Sequence, residues 1–214
     1  MSADRASPDI ESPNLMRKIL VTYGTFSGST GEVAQAISDV IGQRGIDVEL
    51  RPMGEVSDLS AYDAVVAGAP MILGWFRPAR RFLHRHRFEL ENMPLAIFVT
   101  AMSLTDTGVG SISGVPVFID ECLPESPANE ARLTFRERYS TAKNYARPIL
   151  RAVQPAKPLS LAFFGGRLNF GKLKWWAAIL AMMLVRTKVG DRRDWEAIRE
   201  WAGELPDQFM DLQR

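Results

Sequence analysis

A loop rich in hydroxyl side chains follows the first apolar run of the chain. This hydroxyl-rich loop consists of Thr25, Phe26, Ser27, Gly28, Ser29 and Thr30. Hydroxyl groups donate hydrogen bonds, and glycine lets the backbone approach a ligand closely. Apolar residues recur with helical spacing from Thr30 onward, so the loop is predicted to open a helix. The start of a helix offers free backbone N–H groups and a positive dipole end, which favour a bound phosphate.

Two other phosphate-binding loops are excluded by the residues present. A nucleoside triphosphate loop ends in Gly-Lys-Ser or Gly-Lys-Thr, but Gly28, Ser29 and Thr30 include no lysine. A dinucleotide fingerprint needs glycines two and three residues apart, whereas Gly24, Gly28 and Gly31 lie four and three apart. A glycine- and serine-rich turn that only caps a helix stays open as the alternative.

Apolar runs that alternate with helical patterns predict the fold class. Strand-like runs occur at residues 18–23, 47–51, 62–68 and 94–100, and within 158–165. Helical spacing follows Thr30 and recurs at residues 77–87, at 140–153 and after Asp194. The pattern predicts an α/β domain with an open five-stranded parallel sheet and helices on both faces. Ligands of such sheets bind at the carboxyl ends of the strands, where the hydroxyl-rich loop is expected.

Two stretches fall outside this alternation. Residues 105–138 are rich in Gly, Ser, Pro and Glu, with one apolar patch at 115–119, and are predicted to form a long loop, lid or insertion. Because they follow the fourth strand, they are expected beside any ligand bound there. Residues 1–16 are polar and lack a signal-peptide pattern, so they are interpreted as a flexible tail before one domain at 17–214.

The hydroxyl-rich loop resembles that of the flavodoxin family, which reads Ser/Thr-x-Ser/Thr-Gly-x-Thr. The resemblance covers residues 18–206 apart from part of 105–138. It implies a flavodoxin-like fold with strand order 2-1-3-4-5, and FMN held by its phosphate in this loop. It also implies two further flavin-contacting loops, after the third and fourth strands. Their residues are Ala69, Pro70, Met71, Ile72 and Gly74 in the second loop, and Ala101, Met102 and Ser103 in the third.

Apolar side chains near these two loops could shield a flavin ring and tune its potential. Met71 and Met102 are predicted to contact the ring, while ordinary packing at strand ends is the alternative. Trp75 and Leu104 stay open between the two interpretations.

A closer resemblance is to menaquinone-dependent protoporphyrinogen oxidase, a flavodoxin-like enzyme family. The similar stretches lie at Gly68 and Gly74, and at residues 144–147, 164–168 and 194–196. The resemblance implies an FMN-dependent oxidoreductase that takes electrons from a small-molecule reductant, such as a protoporphyrinogen, and passes them to a quinone. No residue is assigned as a catalytic acid or base. The alternatives are an electron-carrier module without its own substrate, and a flavin-free interaction domain.

Two surface features suggest anionic partners. A basic cluster follows the second loop, and its members are Arg77, Arg80, Arg81, His84, Arg85 and Arg87. It could attract an anionic substrate or lipid, or it could be a solvated face balanced by Glu89 and Glu91. Residues 175–185 are apolar and are flanked by Lys and Arg, but the run is too short to span a bilayer. They are predicted to lie on a membrane surface, with burial in the core or in a homodimer as alternatives.

Composition excludes several classes. A net charge of +1 over 214 residues argues against a nucleic-acid binder. The single cysteine, Cys122, cannot form an internal disulfide, which favours a cytoplasmic location. The apolar residues 175–185 add the expectation of contact with the cytoplasmic face of the membrane. No metal site is expected, since His84 and His86 would point to different faces of a helix.

Overall fold

A computed structural model gives the fold for residues 18–71, 74–105, 109–124, 138–167 and 191–212. Three predictions lie outside these described residues: the tail at 1–16, the site residue Ile72 and the apolar segment at 175–185. The last thirteen residues before Arg138 also lie outside them.

The described residues build one twisted sheet of seven strands. The strands are β1 (Lys18–Tyr23), β2 (Asp47–Pro52), β3 (Ala64–Pro70), β4 (Leu95–Ala101), β5 (Ser111–Ile112), β6 (Val115–Ile119) and β7 (Ser160–Gly165). Their spatial order is β2-β1-β3-β4-β7-β6-β5. The five predicted strands are therefore present in the predicted order, all parallel to their neighbours.

Part of the predicted long loop is β-structure. β5 and β6 pair antiparallel, and β6 then pairs parallel to β7 through Val117, Phe118 and Ile119. The apolar patch at 115–119 is thus an additional strand beyond β7 rather than part of a loop or lid, and an insertion stays open as the predicted alternative. Only Val115 of β6 is buried, which is why the alternation of this short strand is weak in the sequence.

Helices cover both faces of the sheet. They are α1 (Ser29–Gly42), α2 (Arg77–Arg85), α3 (Arg87–Leu90), α4 (Ala142–Val153) and α5 (Trp195–Leu212), with a short 3₁₀ turn at Met53–Glu55. Alternate residues of a strand point to opposite faces. In β3, Val66 packs with α1 and α5, while Val65 packs with α2 and α4. In the described residues, no helix has both the length and the apolar character needed to cross a bilayer.

The predicted helix at 77–87 is broken at His86. The backbone there has φ −98° and ψ 13°, outside the helical region, and α3 begins at the next residue. The His86 ring is buried, and its Nδ1 lies 2.6 Å from Oε2 of Glu89. Burial of this ring and its bond to Glu89 accompany the break, which no glycine or proline marks in the sequence.

Candidate phosphate and cofactor site

A narrow cleft opens where the carboxyl ends of β1, β3, β4 and β7 meet. It is lined by Phe26, Ser27, Ser29, Thr30, Pro70, Met71, Thr100, Ala101, Met102 and Gly166. The parallel strand order brings the hydroxyl-rich loop and the ends of β3 and β4 to one edge of the sheet. Residues more than 130 positions apart in sequence, such as Ser27 and Gly166, therefore line the same cleft.

The hydroxyl-rich loop is shaped by a left-handed residue at its centre. Gly28 has φ 96°, a conformation that side chains disfavour, and it ends the turn at the start of α1. Its amide donates to Oγ1 of Thr25 at 2.9 Å, and its carbonyl accepts from the amide of Glu32 at 3.2 Å. No side chain caps α1, so its first N–H groups have no capping side-chain acceptor among the described residues.

Two threonine hydroxyls meet at the base of the cleft. Oγ1 of Thr30 lies 2.9 Å from Oγ1 of Thr100, and both residues are buried. Each hydroxyl has one donor and can accept further bonds. One hydroxyl donates to the other, which leaves a single donated proton for a ligand in the cleft. Thr100 of β4 thus holds the Thr30 side chain in place. The loop sequence alone gives no sign of this contact.

The second loop packs onto the first. Met71 and Trp75 form an antiparallel bridge, and the amide of Phe76 donates to the carbonyl of Pro70 at 3.3 Å. The Phe76 ring then covers Gly24, where an added Cβ would lie 2.7 Å from the ring Cδ1. Gly24 therefore allows the two loops to come into contact.

The apolar side chains predicted near the flavin divide into two groups. Met71 and Met102 line the cleft. Trp75 and Leu104 belong to the core under the sheet, with exposures of 3% and 0%. The Trp75 indole N–H has no hydrogen-bond partner among the described residues.

The chain from 191 to 194 packs against the ends of β4 and β7. The backbone of Arg192 donates to the Gly166 carbonyl at 3.2 Å, and its guanidinium donates to the Met102 carbonyl at 2.9 Å. Contact with β7 is close, because a Cβ on Gly165 would lie 1.9 Å from the carbonyl oxygen of Arg192. The end of β7 is thus fixed against the end of β4.

The model of the flavodoxin domain family matches residues 20–194, most of the chain. This chain belongs to the flavodoxin domain family. FMN is therefore the cofactor that the chain binds. The alternative interpretation as a flavin-free interaction domain is thereby set aside.

Solved structures similar to this flavodoxin domain have low sequence identity to it. A flavodoxin from the domain Archaea is 11% identical over 90% of this chain and 98% of its own, with a TM-score of 0.49. Flavodoxin 2 from Bacillus cereus, in its oxidised form, is 16% identical over 91% and 99%, with a TM-score of 0.44. The flavodiiron protein from Giardia intestinalis is 11% identical over 93% of this chain and 37% of its own, with a TM-score of 0.49. No curated protein matches the chain in sequence.

An ion pair with Arg193 neutralises Glu32, the acidic residue that follows the hydroxyl-rich loop. Glu32 in the first turn of α1 pairs with Arg193, whose side chain is only 2% exposed and also bonds Asp191. The hydrogen bond that Arg193 donates to Asp191 is the main cause that raises the pKa of Arg193, so this guanidinium stays charged. Glu32 would otherwise repel a phosphate at the start of α1.

Eight of the fourteen predicted site residues line the cleft. Thr25 and Gly28 shape the loop behind it, while Ala69, Gly74 and Ser103 lie beside the cleft without lining it. Two lining residues were missed, Thr100 and Gly166. Two features of the sequence could have indicated them: Thr100 lies at the end of the fourth predicted strand, and Gly166 belongs to a glycine pair at 165–166.

Cys122 lies near two carboxylates at the end of β6. Its sulfur lies 3.5 Å from Oδ2 of Asp194, and this hydrogen bond is the main cause that raises the pKa of the thiol. Asp194 also caps α5, and buried Asp120 accepts from the amides of Cys122 and Gly165 at 2.7 and 3.0 Å. Each carboxylate thus has structural partners, and the raised pKa disfavours a reactive thiolate.

Proposed function

We propose that this flavodoxin domain is an FMN-dependent oxidoreductase that oxidises a reduced small molecule, of protoporphyrinogen type, and passes the electrons to a quinone. The observation that carries the proposal is the convergence of the hydroxyl-rich loop with the ends of β3, β4 and β7 on one cleft. The proposal rests further on the resemblance to menaquinone-dependent protoporphyrinogen oxidase at the sequence level. The bound flavin would supply the electron chemistry, and the protein would bind and orient it.

In this proposal, the start of α1 and the Ser27 and Ser29 hydroxyls hold the FMN phosphate. Their donors fit an anion, because α1 lacks a side-chain cap and Glu32 is neutralised by Arg193. Met71 and Met102 flank the flavin ring on two sides of the cleft. The Thr30–Thr100 hydroxyl pair fixes the base of the site.

Reconstitution of the protein with flavins tests the cofactor site. We expect one FMN per chain, identified by mass spectrometry after release, because only one phosphate loop of this kind is found in the sequence. Binding of FAD in preference to FMN would contradict the assigned site. So would FMN binding that Ser27→Ala and Thr30→Ala leave unchanged.

The electron-carrier alternative has one observation in its favour. The Phe26 ring is 53% exposed at the rim of the cleft, where it could contact a partner protein. Anaerobic mixing of the FMN-loaded protein with protoporphyrinogen and then with a quinone separates the two functions. Turnover with both small molecules supports the oxidoreductase; flavin that exchanges electrons only with other redox proteins supports the carrier.

The quinone-linked proposal includes contact with the cytoplasmic face of a membrane through the apolar residues 175–185. These lie outside the described residues, but the chain leaves at Arg167 and returns at Asp191, which form an antiparallel bridge. A two-residue turn can join such a pair. We therefore expect that replacing 168–190 with a short turn keeps FMN binding.

Co-sedimentation with anionic vesicles tests this contact. The full chain should sediment with the vesicles, less so in high salt, and the shortened chain should not. Full-chain protein with Trp175→Glu and Ile179→Glu should also lose sedimentation. Equal recovery of the full and shortened chains in the supernatant would remove the membrane contact from the proposal.

A further inference from the structure

A second and larger cavity lies on the helical surface between α2 and α4. Its volume is about 580 Å³, and it is lined by Arg77, Arg80, Arg81, His84, Arg85, Pro148, Arg151 and Ala152. Five arginines from two helices thus surround one concave space, called here the arginine groove. The sequence suggests the basic residues of α2, but Arg151 joins them only through the packing of α2 against α4.

The arginine groove lacks a carboxylate of its own. In the described part of the chain, none of its five arginines forms an ion pair. The nearest acidic candidate in the sequence, Glu89, bonds the buried His86 instead. Arg87 lies next to the groove, donates to the carbonyl of His84 at 2.7 Å, and adds another positive charge.

This arrangement of charge is unfavourable without a ligand. Arg77, Arg81 and Arg85 follow one another at intervals of four residues, so their side chains are neighbours on one face of α2. Like charges at this spacing destabilise a helix. A bound anion would remove that repulsion. The net charge of the whole chain is only +1, so the excess of positive charge in the groove is local.

We propose that the arginine groove binds a small polyanion that carries two or more phosphate groups. Guanidinium groups match phosphate oxygens through paired N–H donors, which makes arginine the preferred residue for such ligands. The volume lies within the range of small-molecule sites, and the concave shape favours a compact ligand over the flat contact of an acidic protein. The phosphates could belong to a free metabolite or to a lipid headgroup.

The arginine groove is separate from the narrow cleft at the carboxyl ends of the strands, called here the cofactor cleft. No residue lines both cavities, and the two differ in the chemistry of their donors. The proposal therefore goes beyond the FMN-dependent function and does not rest on it.

Calorimetric titration of the FMN-loaded protein with inorganic tripolyphosphate tests the proposal. FMN is present so that the hydroxyl-rich loop is occupied. The test variant is Arg81→Gln with Arg85→Gln, and the matched control is Arg199→Gln, an exposed arginine on α5. We expect saturable 1:1 binding by wild type and control, and affinity at least about tenfold weaker in the double variant. Retained FMN content shows that the variant is folded.

Three further arms assign the ligand. Vesicles that contain cardiolipin, whose headgroup carries two phosphates, are compared with neutral vesicles to separate a lipid headgroup from a free polyphosphate. Loss of either interaction in the double variant supports the site. Equal affinity of wild type and double variant for tripolyphosphate and for anionic vesicles overturns it. Preference for polyglutamate over both phosphate probes would also overturn it, in favour of an acidic protein partner.

Discussion

The two cavities of this flavodoxin domain differ in how they could hold an anion. The cofactor cleft offers backbone N–H groups and hydroxyls at the start of α1, and Glu32 in the first turn of that helix is paired with Arg193. The arginine groove offers full positive charges on an exposed helix surface. The first is made by backbone geometry at the sheet edge, whereas the second is made by side chains that the fold merely brings together.

This difference has an energetic consequence. Fixed dipoles and short hydrogen bonds act over a few ångströms, while exposed charges act over a Debye length of about 8 Å at physiological salt. The cofactor cleft should therefore depend on local geometry, and the arginine groove on ionic strength. The changes within the cleft and the change of salt act mainly on one side of this comparison and leave the other as their control; the last prediction concerns an ion pair outside both cavities.

Gly165→Ala should have the largest effect, and on the cleft side only. Its Cβ would meet the Arg192 carbonyl at 1.9 Å, a backbone atom that must move together with the contacts to Met102 and Gly166. We expect destabilisation of about 3 kcal/mol in urea denaturation and weaker FMN binding. Tripolyphosphate binding by the folded fraction should be unchanged.

Gly42→Ala is the matched control for this substitution. Gly42 ends α1, and nothing lies within 4 Å of an added Cβ. It should leave stability unchanged or raise it by about 0.5–1 kcal/mol. Equal destabilisation by the two glycine substitutions would refute the close contact of residues 191–194 with β7.

Loss of single hydroxyls should weaken FMN binding by a smaller amount. Ser27→Ala and Thr30→Ala should each cost about 1.5–3 kcal/mol of binding, measured by titration of the apo-protein. Thr30→Ser, which keeps the hydroxyl, is the control. Because Thr30 bonds Thr100, a double-mutant cycle with Thr100→Ala should show a coupling between the two sites in FMN affinity; additive effects would argue that the pair has no role in the cleft.

Salt should separate the two cavities directly. Raising the salt concentration several-fold should weaken tripolyphosphate binding by about tenfold or more, because several exposed guanidinium groups are screened at once. FMN affinity should change much less under the same conditions. Parallel titrations of one FMN-binding preparation measure both, and equal salt dependence would remove the distinction between the cavities.

The smallest effect concerns Glu49, a carboxylate outside both cavities that is paired with the basic side chain of Lys18. Glu49 bonds Lys18, Tyr62 and Arg51, and the hydrogen bond from Lys18 is the main cause that lowers its pKa from 4.5 to about 2. Because folding lowers the pKa of Glu49, its charged carboxylate stabilises the fold at pH values above the pKa in the unfolded chain. This stability is lost as the pH falls from about 4.5 to about 2.

Glu49→Gln should therefore flatten the pH dependence of stability in that window, measured by denaturation at several pH values. Neither FMN nor tripolyphosphate binding should change near neutral pH. If the pH dependence is the same as in wild type, the carboxylate is not charged and paired as described.

The sequence predicts the parts of this fold whose signal is local. The strand at 18–23 is a continuous apolar run because both sides of β1 are covered, and its bounds are confirmed. The hydroxyl-rich loop was found because glycine and hydroxyl residues at a strand–helix junction are themselves the signal. The order of the five strands came from the family resemblance, and the structure confirms it.

Features that depend on distant residues could not be predicted. Thr30 and Thr100 are 70 positions apart, and nothing in either segment indicates that their hydroxyls meet. Arg151 joins the basic face of α2 only after the helices pack. β6 was missed because one half-buried strand of five residues among glycine and proline carries little periodicity.

The hairpin of β5 and β6 also determines how the sheet ends. Without it, β7 would present six residues of buried backbone along an open edge that another chain could extend. With it, the terminal strand is β5, which has two residues, and the adjoining β6 contains Pro116, which has no N–H to donate. The hairpin thus protects the sheet against edge-to-edge aggregation, so removing residues 109–119 should make the protein prone to form fibrils even where the cofactor cleft is left intact.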